Sequence, residues 1–176
     1  LTRQTALLIF SDCSRSDFFP SEKYSSNEEL VAFFFSLIDS PSNEESSSAL
    51  QILSEMMLKN PSVCQFLVEE QELHQKLELI EATPFLSKFL AVLCDVHPES
   101  LELTLKLIPN CLQVKDDLTI LHSLLAMKSA LKNCPECAPV IINFIGQYSK
   151  NLFSFDIDNI EECGPYPDKV IITSSN

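Results

Sequence analysis

Glycine is nearly absent, with two in 176 residues. Sheets joined by tight hairpins need glycine at turn positions with positive φ, whereas stacked helices need few. The scarcity argues against an antiparallel β fold and against any glycine-rich loop that cradles phosphate. Tryptophan is missing altogether. Basic residues are sparse, 12 Lys and Arg against 25 Asp and Glu, for a net charge of −13. A field of that sign repels phosphate backbones, so direct nucleic-acid binding is not expected, and a basic partner is weakly favoured. No apolar run nears the roughly 18 residues of a membrane span, so no membrane partner is expected. The opening Leu1-Thr2-Arg3-Gln4 leads only into the short run Ala6 to Phe10, which is not a secretory signal pattern. A start at Leu1 rather than Met suggests a segment of a larger protein.

What is present favours helices. Hydrophobic residues make up 45% of the chain, enough for a packed core. Ten prolines sit mainly between apolar runs, where they punctuate helices. The seven cysteines (Cys13, Cys64, Cys94, Cys111, Cys134, Cys137 and Cys163) are odd in number and irregularly spaced. Cys64, Cys94, Cys111 and Cys137 lie in or beside apolar helical runs, where free thiols act as small hydrophobes. That usage points to a reducing compartment, cytoplasm or nucleus.

Residues Arg3 to Cys13 carry Ala6 to Phe10 and predict a first helix. Ser14 to Ser25 reads as a loop, with an exposed Phe18-Phe19 pair. Ser26 and Glu29 form a capping-box pair ahead of an apolar helix over Glu28 to Asp39. Ser40 to Ser48 reads as a polar loop before a helix that runs to Lys59, with Leu50, Leu53 and Met57 on one face. Asn60-Pro61 caps a central helix whose face is Val63, Phe66, Leu67, Leu73, Leu77 and Ile80. Thr83-Pro84 repeats the device before Phe85, Phe89, Val92, Leu93 and Val96. This central stretch, Asn60 to Val96, is where the chain is expected to be organised.

From His97-Pro98 the period is ambiguous. Leu101, Leu103, Leu105 and Leu107 alternate like a strand, while Leu101, Leu105, Ile108 and Leu112 fit a helix. The helical neighbours and the few β-branched residues favour helix, with Pro109 ending or kinking it near Leu107. Asp116 is placed to cap Asp117 to Asn133, with Leu118, Leu121, Leu125 and Leu131 facing inward. After Cys134-Pro135, a last face of Ile141, Phe144, Ile145, Tyr148 and Leu152 ends near Phe155. The expected organisation is therefore a helical domain over 1–155 with about eight helices. An acidic, proline-containing tail over 156–176 follows, poorly ordered or carrying one short extended piece. Helix starts near residues 46, 84 and 116 suggest a unit of roughly 35 to 40 residues.

The segment from Asn60-Pro61 to Glu69 resembles the turn and entry helix of armadillo-like repeats. The spacing of Pro61, Pro84, Pro98 and Pro135 at helix starts is similar to that of HEAT repeats. The resemblance covers most of residues 28 to 155. It implies an all-α, armadillo/HEAT-like helical repeat wound as a right-handed superhelix, and a scaffold role without a particular ligand.

Candidate chemistry is thin. Cys134-Pro135-Glu136-Cys137 is a lone C-x-x-C. A zinc site commonly needs a second pair, and redox use expects a βαβ context, so neither metal nor redox function is expected. His74, His97 and His122 lie on separate segments. The acidic pairs Glu28-Glu29, Glu69-Glu70 and Glu161-Glu162 read as solvated faces. Ser40-Pro41 and Ser42, ahead of Glu44-Glu45, resemble kinase acceptor contexts. No catalytic, cofactor or metal residue is assigned. The expected function is a non-enzymatic protein-interaction scaffold that binds a peptide or helix, with basic flanks, through grooves between helices. The alternative is a structural subunit packed permanently against a partner or the rest of its own chain.

Overall fold

The computed structural model describes residues 2–16, 20–69, 72–152 and 166. Among them the regular structure is entirely helical: α1 (Arg3–Ser14), α2 (Ser21–Ser25), α3 (Glu28–Ser36), α4 (Asn43–Lys59), α5 (Ser62–Glu69), α6 (Leu73–Glu78), α7 (Pro84–Val96), α8 (Leu101–Leu112), α9 (Asp117–Asn133), α10 (Ala138–Gln147) and α11 (Ser149–Leu152). Short 3-10 turns over Pro98–Ser100 and Pro135–Cys137 lead into α8 and α10. The helical reading of the ambiguous leucine segment is what the structure contains.

The helix starts follow from side-chain caps, which satisfy backbone N–H groups that have no partner inside the helix. Thr83 Oγ1 accepts from Leu86 N at 3.2 Å, with Pro84 in the first turn, where its missing N–H costs nothing. Asp116 Oδ2 accepts from Thr119 N at 2.7 Å and opens α9 at the expected residue. Elsewhere the boundaries differ from expectation. Asn27, not Ser26, caps α3, accepting from Leu30 N at 3.1 Å. α3 stops at Ser36, short of Asp39. A short helix, α2, lies inside the stretch expected to be a loop. Ser42 caps α4, so Ser46 to Ser48 are helical rather than loop; Ser46 Oγ donates to the Ile38 carbonyl and ties that turn inward.

The expected central helix over residues 62 to 80 is two short helices, α5 and α6. Together with α2 and the separate α11, this raises the helix count above the eight expected. Pro109 neither ends nor replaces α8, which continues to Leu112. The proline forgoes one hydrogen bond, and the burial of Leu107, Ile108, Cys111 and Leu112 holds the turn in place. The tail over 156–176 lies outside the described residues except Tyr166. That residue is buried, and its hydroxyl donates to the Ala91 carbonyl at 3.4 Å. Phe18 and Phe19 also lie outside them.

The core centres on α7. Its residues Leu86 through Cys94 are all buried, as befits a helix that is apolar nearly all round. Burial of side chains such as Phe89, Leu90 and Leu93 stabilises by about 1.5–3 kcal/mol each. α7 packs against α4 on one side and most extensively against α9 on the other, and α1 packs on α4, so these helices follow one another as α1, α4, α7 and α9. α8 packs against both α7 and α9.

The buried face of α9 is not the leucine face expected from the sequence. Thr119, Ile120, Ser123, Ala126, Met127 and Ala130 are buried, while Leu118, Leu121 and Leu125 are half-buried and Leu131 is 37% exposed. α9 packs most extensively on α7, and its small side chains are more deeply buried than its leucines.

Side-chain bonds between helices recur at similar sequence separations. Arg3 Nε to Glu45 spans 42 residues, Asn60 to Ser25 spans 35, and Lys76 to Asp39 spans 37. Lys88 to Glu55 spans 33, His122 to Pro84 spans 38, and Asn133 to Cys94 and Asn151 to Leu112 each span 39, while Lys106 to Glu78 is shorter at 28. Three of these use an asparagine amide on a carbonyl in the last turn of an earlier helix, where intrahelical partners run out.

Candidate functional site

A groove of about 450 Å³ opens between α1, α4 and the N-terminal turns of α7 and α9. Its apolar surface comes from two directions. Leu8 of α1 stands on one side, and Phe85 of α7 and Leu118 of α9 on the other. Leu8 is 49% exposed and Phe85 38% exposed, so both present apolar surface to the opening. Between them α4 contributes Asn43, Ser47, Ser48 and Gln51, and α1 contributes Ser11.

The lysine and arginine of the lining are matched within the chain. Lys88, nearly fully buried, donates from Nζ to Glu55 Oε1 at 2.9 Å, and Gln51 Nε2 donates to the same oxygen at 3.2 Å. Arg15 pairs with Asp12 one helical turn away. His122 is buried with Nδ1 3.1 Å from the Pro84 carbonyl oxygen; a carbonyl only accepts, so Nδ1 carries the proton. The Ser87 hydroxyl approaches the same nitrogen at 3.5 Å, but Ser87 is fully buried and donates to Pro84 O at 3.1 Å. The pair serves packing rather than nucleophilic attack. Beside the groove, Arg3 binds Glu45 through both guanidinium and carboxylate arms. That contact, with a second hydrogen bond from Ser40 Oγ at 2.8 Å, holds the Glu45 carboxyl below its usual range.

The residues singled out from the sequence are scattered. Cys134 and Cys137 bracket the turn before α10, at the opposite end of α9 from the groove. Among the described residues no group of three or more His, Cys, Asp or Glu is placed to hold a metal. Burial pushes the thiols of Cys64 and Cys111 up to about 12 and that of Cys94 to about 11, so they stay protonated at neutral pH. His74 lies in α6, and His97 Nδ1 meets Ser100 Oγ at 2.9 Å at the end of α7. Of the three histidines, His122 is the one at the groove. Glu28, Glu29 and Glu69 are exposed, while Glu70, Glu161, Glu162 and Cys163 lie outside the described residues. Ser40 is engaged by Glu45, and Ser42 is the α4 cap.

The Lys88–Glu55 pair, Leu8 and Ser48 were not anticipated. A lysine flanked by Phe85-Leu86 and Phe89-Leu90 is the signal that marks a buried ion pair. No helix among the described residues is long and apolar enough to cross a membrane. Comparison with protein-family models, with curated proteins and with solved structures returns no match for this chain.

Proposed function

We propose that the chain is an armadillo/HEAT-like helical-repeat scaffold, wound as a right-handed superhelix. In this reading it is a non-enzymatic module of a larger protein in the cytoplasm or nucleus. It holds a peptide or helix of a partner protein, with basic flanks, in a groove between its helices. The observation that carries the reading is the recurrent separation of the interhelical side-chain bonds, 28 to 42 residues and mostly 33 to 42, at positions from Arg3 to Asn151. A stack of like units places equivalent residues one repeat apart, within the length of armadillo and HEAT units. The groove between α1, α4, α7 and α9 supplies an open, largely apolar site of the kind such stacks use. The net charge of −13 would speed encounter with a basic partner.

A second reading, a subunit packed permanently into a larger assembly, draws on α10. Val140, Ile142 and Ile145 of that helix are 42%, 67% and 39% exposed. The discriminating experiment is affinity purification from cells followed by reconstitution with the purified partner. A reversible one-to-one complex whose association slows with added salt supports the scaffold. A chain that aggregates unless co-expressed with its partner supports the subunit. A chain with no stoichiometric partner refutes both.

A further inference from the structure

We infer that Tyr166 is a phosphorylation site, and that a phosphate on its hydroxyl expels the side chain from the seam between α7 and α9. Tyr166 stands beyond α11 and in no helix itself, yet it is buried, at 8% exposure. Its hydroxyl donates to the Ala91 carbonyl at 3.4 Å, 75 residues away in sequence. Ala91 is fully buried in α7, so the phenol reaches the helix at the centre of the core. The groups it meets there accept hydrogen bonds. Asp95 stands four residues after Ala91, on the same face of α7. Asp95 Oδ1 accepts from Ser129 Oγ of α9 at 3.3 Å, which sets the carboxylate across the seam. Burial, and then the Asp95 carboxylate, push the Tyr166 phenol above its ordinary value, so it stays a neutral donor at neutral pH.

Such a place suits a single O–H donor and rejects an anion. A phosphate brings about −1.5 to −2 charges and chiefly acceptor oxygens. In the seam it would face the Ala91 carbonyl and the Asp95 carboxylate, stripped of water and with no donor to replace it. Lys132 Nζ lies 3.6 Å from the same carboxylate, but its side chain is 73% exposed, so its charge sits in water and does not offset a buried phosphate. The phosphoryl donor is ATP held by a tyrosine kinase. The γ-phosphorus bonds to Tyr166 Oη, its bond to the β–γ bridging oxygen breaks, ADP leaves and the phenol proton passes to the kinase's base. Transfer takes place while the side chain is out of the seam. Among the described residues Tyr166 is held by its ring and one long hydrogen bond, without a helix around it, which makes that opening a local one. Glu161, Glu162 and Asp168 flank it in sequence and fit a kinase with a basic substrate cleft. The added charge then keeps the side chain out, because only the unmodified phenol fits the seam.

The test treats the whole chain with a panel of tyrosine kinases and ATP, maps the modified residues by mass spectrometry, and compares melting temperatures before and after. Tyr166 is expected to take up phosphate, and the melting temperature to fall by about 5 °C or more, to that of Tyr166→Ala. A phosphatase should restore it. Hydrogen–deuterium exchange in α7 around Ala91 should quicken with phosphorylation. Tyr166→Phe keeps the ring and loses one hydrogen bond, so it should melt within about 2–4 °C of the original chain and take no phosphate at that position. Asp95→Asn removes the facing charge and should shrink the loss on phosphorylation. A chain phosphorylated at Tyr166 that melts as before, a Tyr166→Ala chain as stable as the original, or a panel that leaves Tyr166 unmodified would each overturn the inference.

Discussion

Replacing Lys88 by methionine removes one member of the most buried ion pair among the described residues. The lysine side chain is 3% exposed and its Glu55 partner 13%, with the two charges 2.9 Å apart. Methionine keeps most of the volume of the lysine stem, so the change is electrostatic rather than a cavity. Glu55 is left without its cation in the seam between α4 and α7, with only the Gln51 amide bound to it. Losing one partner of a buried pair costs about 3–5 kcal/mol. The partial exposure of Glu55 and the retained Gln51 bond put the expectation at the lower end, about 3 kcal/mol. At about 2–4 °C per kcal/mol for a chain of this size, the melting temperature should fall by about 6–12 °C. Adding Glu55→Leu removes the stranded charge and should bring stability back to within about 1–2 kcal/mol of the original chain. Urea denaturation of the single and double variants measures the coupling, provided the denaturant slope is unchanged. A Lys88→Met loss below about 1 kcal/mol, or a double variant less stable than Lys88→Met alone, would refute the argument.

Removing the helix caps should cost in proportion to the bonds lost: about 1 kcal/mol for Thr83→Ala, and closer to 2 for Asp116→Ala, whose carboxylate accepts from both Thr119 N and Thr119 Oγ1, as read by urea midpoints. A thiol reagent at neutral pH should label exposed Cys13 quickly, whereas Cys64, Cys94 and Cys111 should react only as urea unfolds the chain; peptide mapping reports each site. Acid should weaken the fold through Asp39 and Glu45, whose folded carboxyls are held low by Lys76 and Arg3. A depressed folded value means that the unfolded chain binds more protons, so this stability is present above about pH 4 and is lost as pH falls through the folded values. Arg3→Gln should lower the urea midpoint at pH 6 and converge with the original chain in acid.

The sequence is most legible where one residue decides the local outcome. Thr83-Pro84 and Asp116 announce α7 and α9 because a cap and an N1 proline act within one turn. Ser40 to Ser48 misleads because a serine run has low apolar content, and the contact that makes Ser46 helical comes from the Ile38 carbonyl in the preceding turn region. The leucines of α9 mislead for a different reason: small residues such as Ala126 and Ala130 are the fully buried ones, so hydrophobicity alone does not rank depth. The stretch over residues 62 to 80 carries one apolar period throughout, yet Glu72 is a turn and α6 starts anew at Leu73. Phe85 to Val96 proves to be the part of the expected organising stretch that the other helices surround. The groove was not legible at all, because Leu8, Ser48, Phe85 and Leu118 come from four helices and meet only in three dimensions.

The most direct measurement of the central claim is hydrogen–deuterium exchange on the chain, free and in its complex with the purified cellular partner. The account predicts slowed exchange on binding in α1, the first half of α4 and the N-terminal turns of α7 and α9, with α10 unchanged. Protection confined to α10, or none in the helices that form the groove, would contradict it.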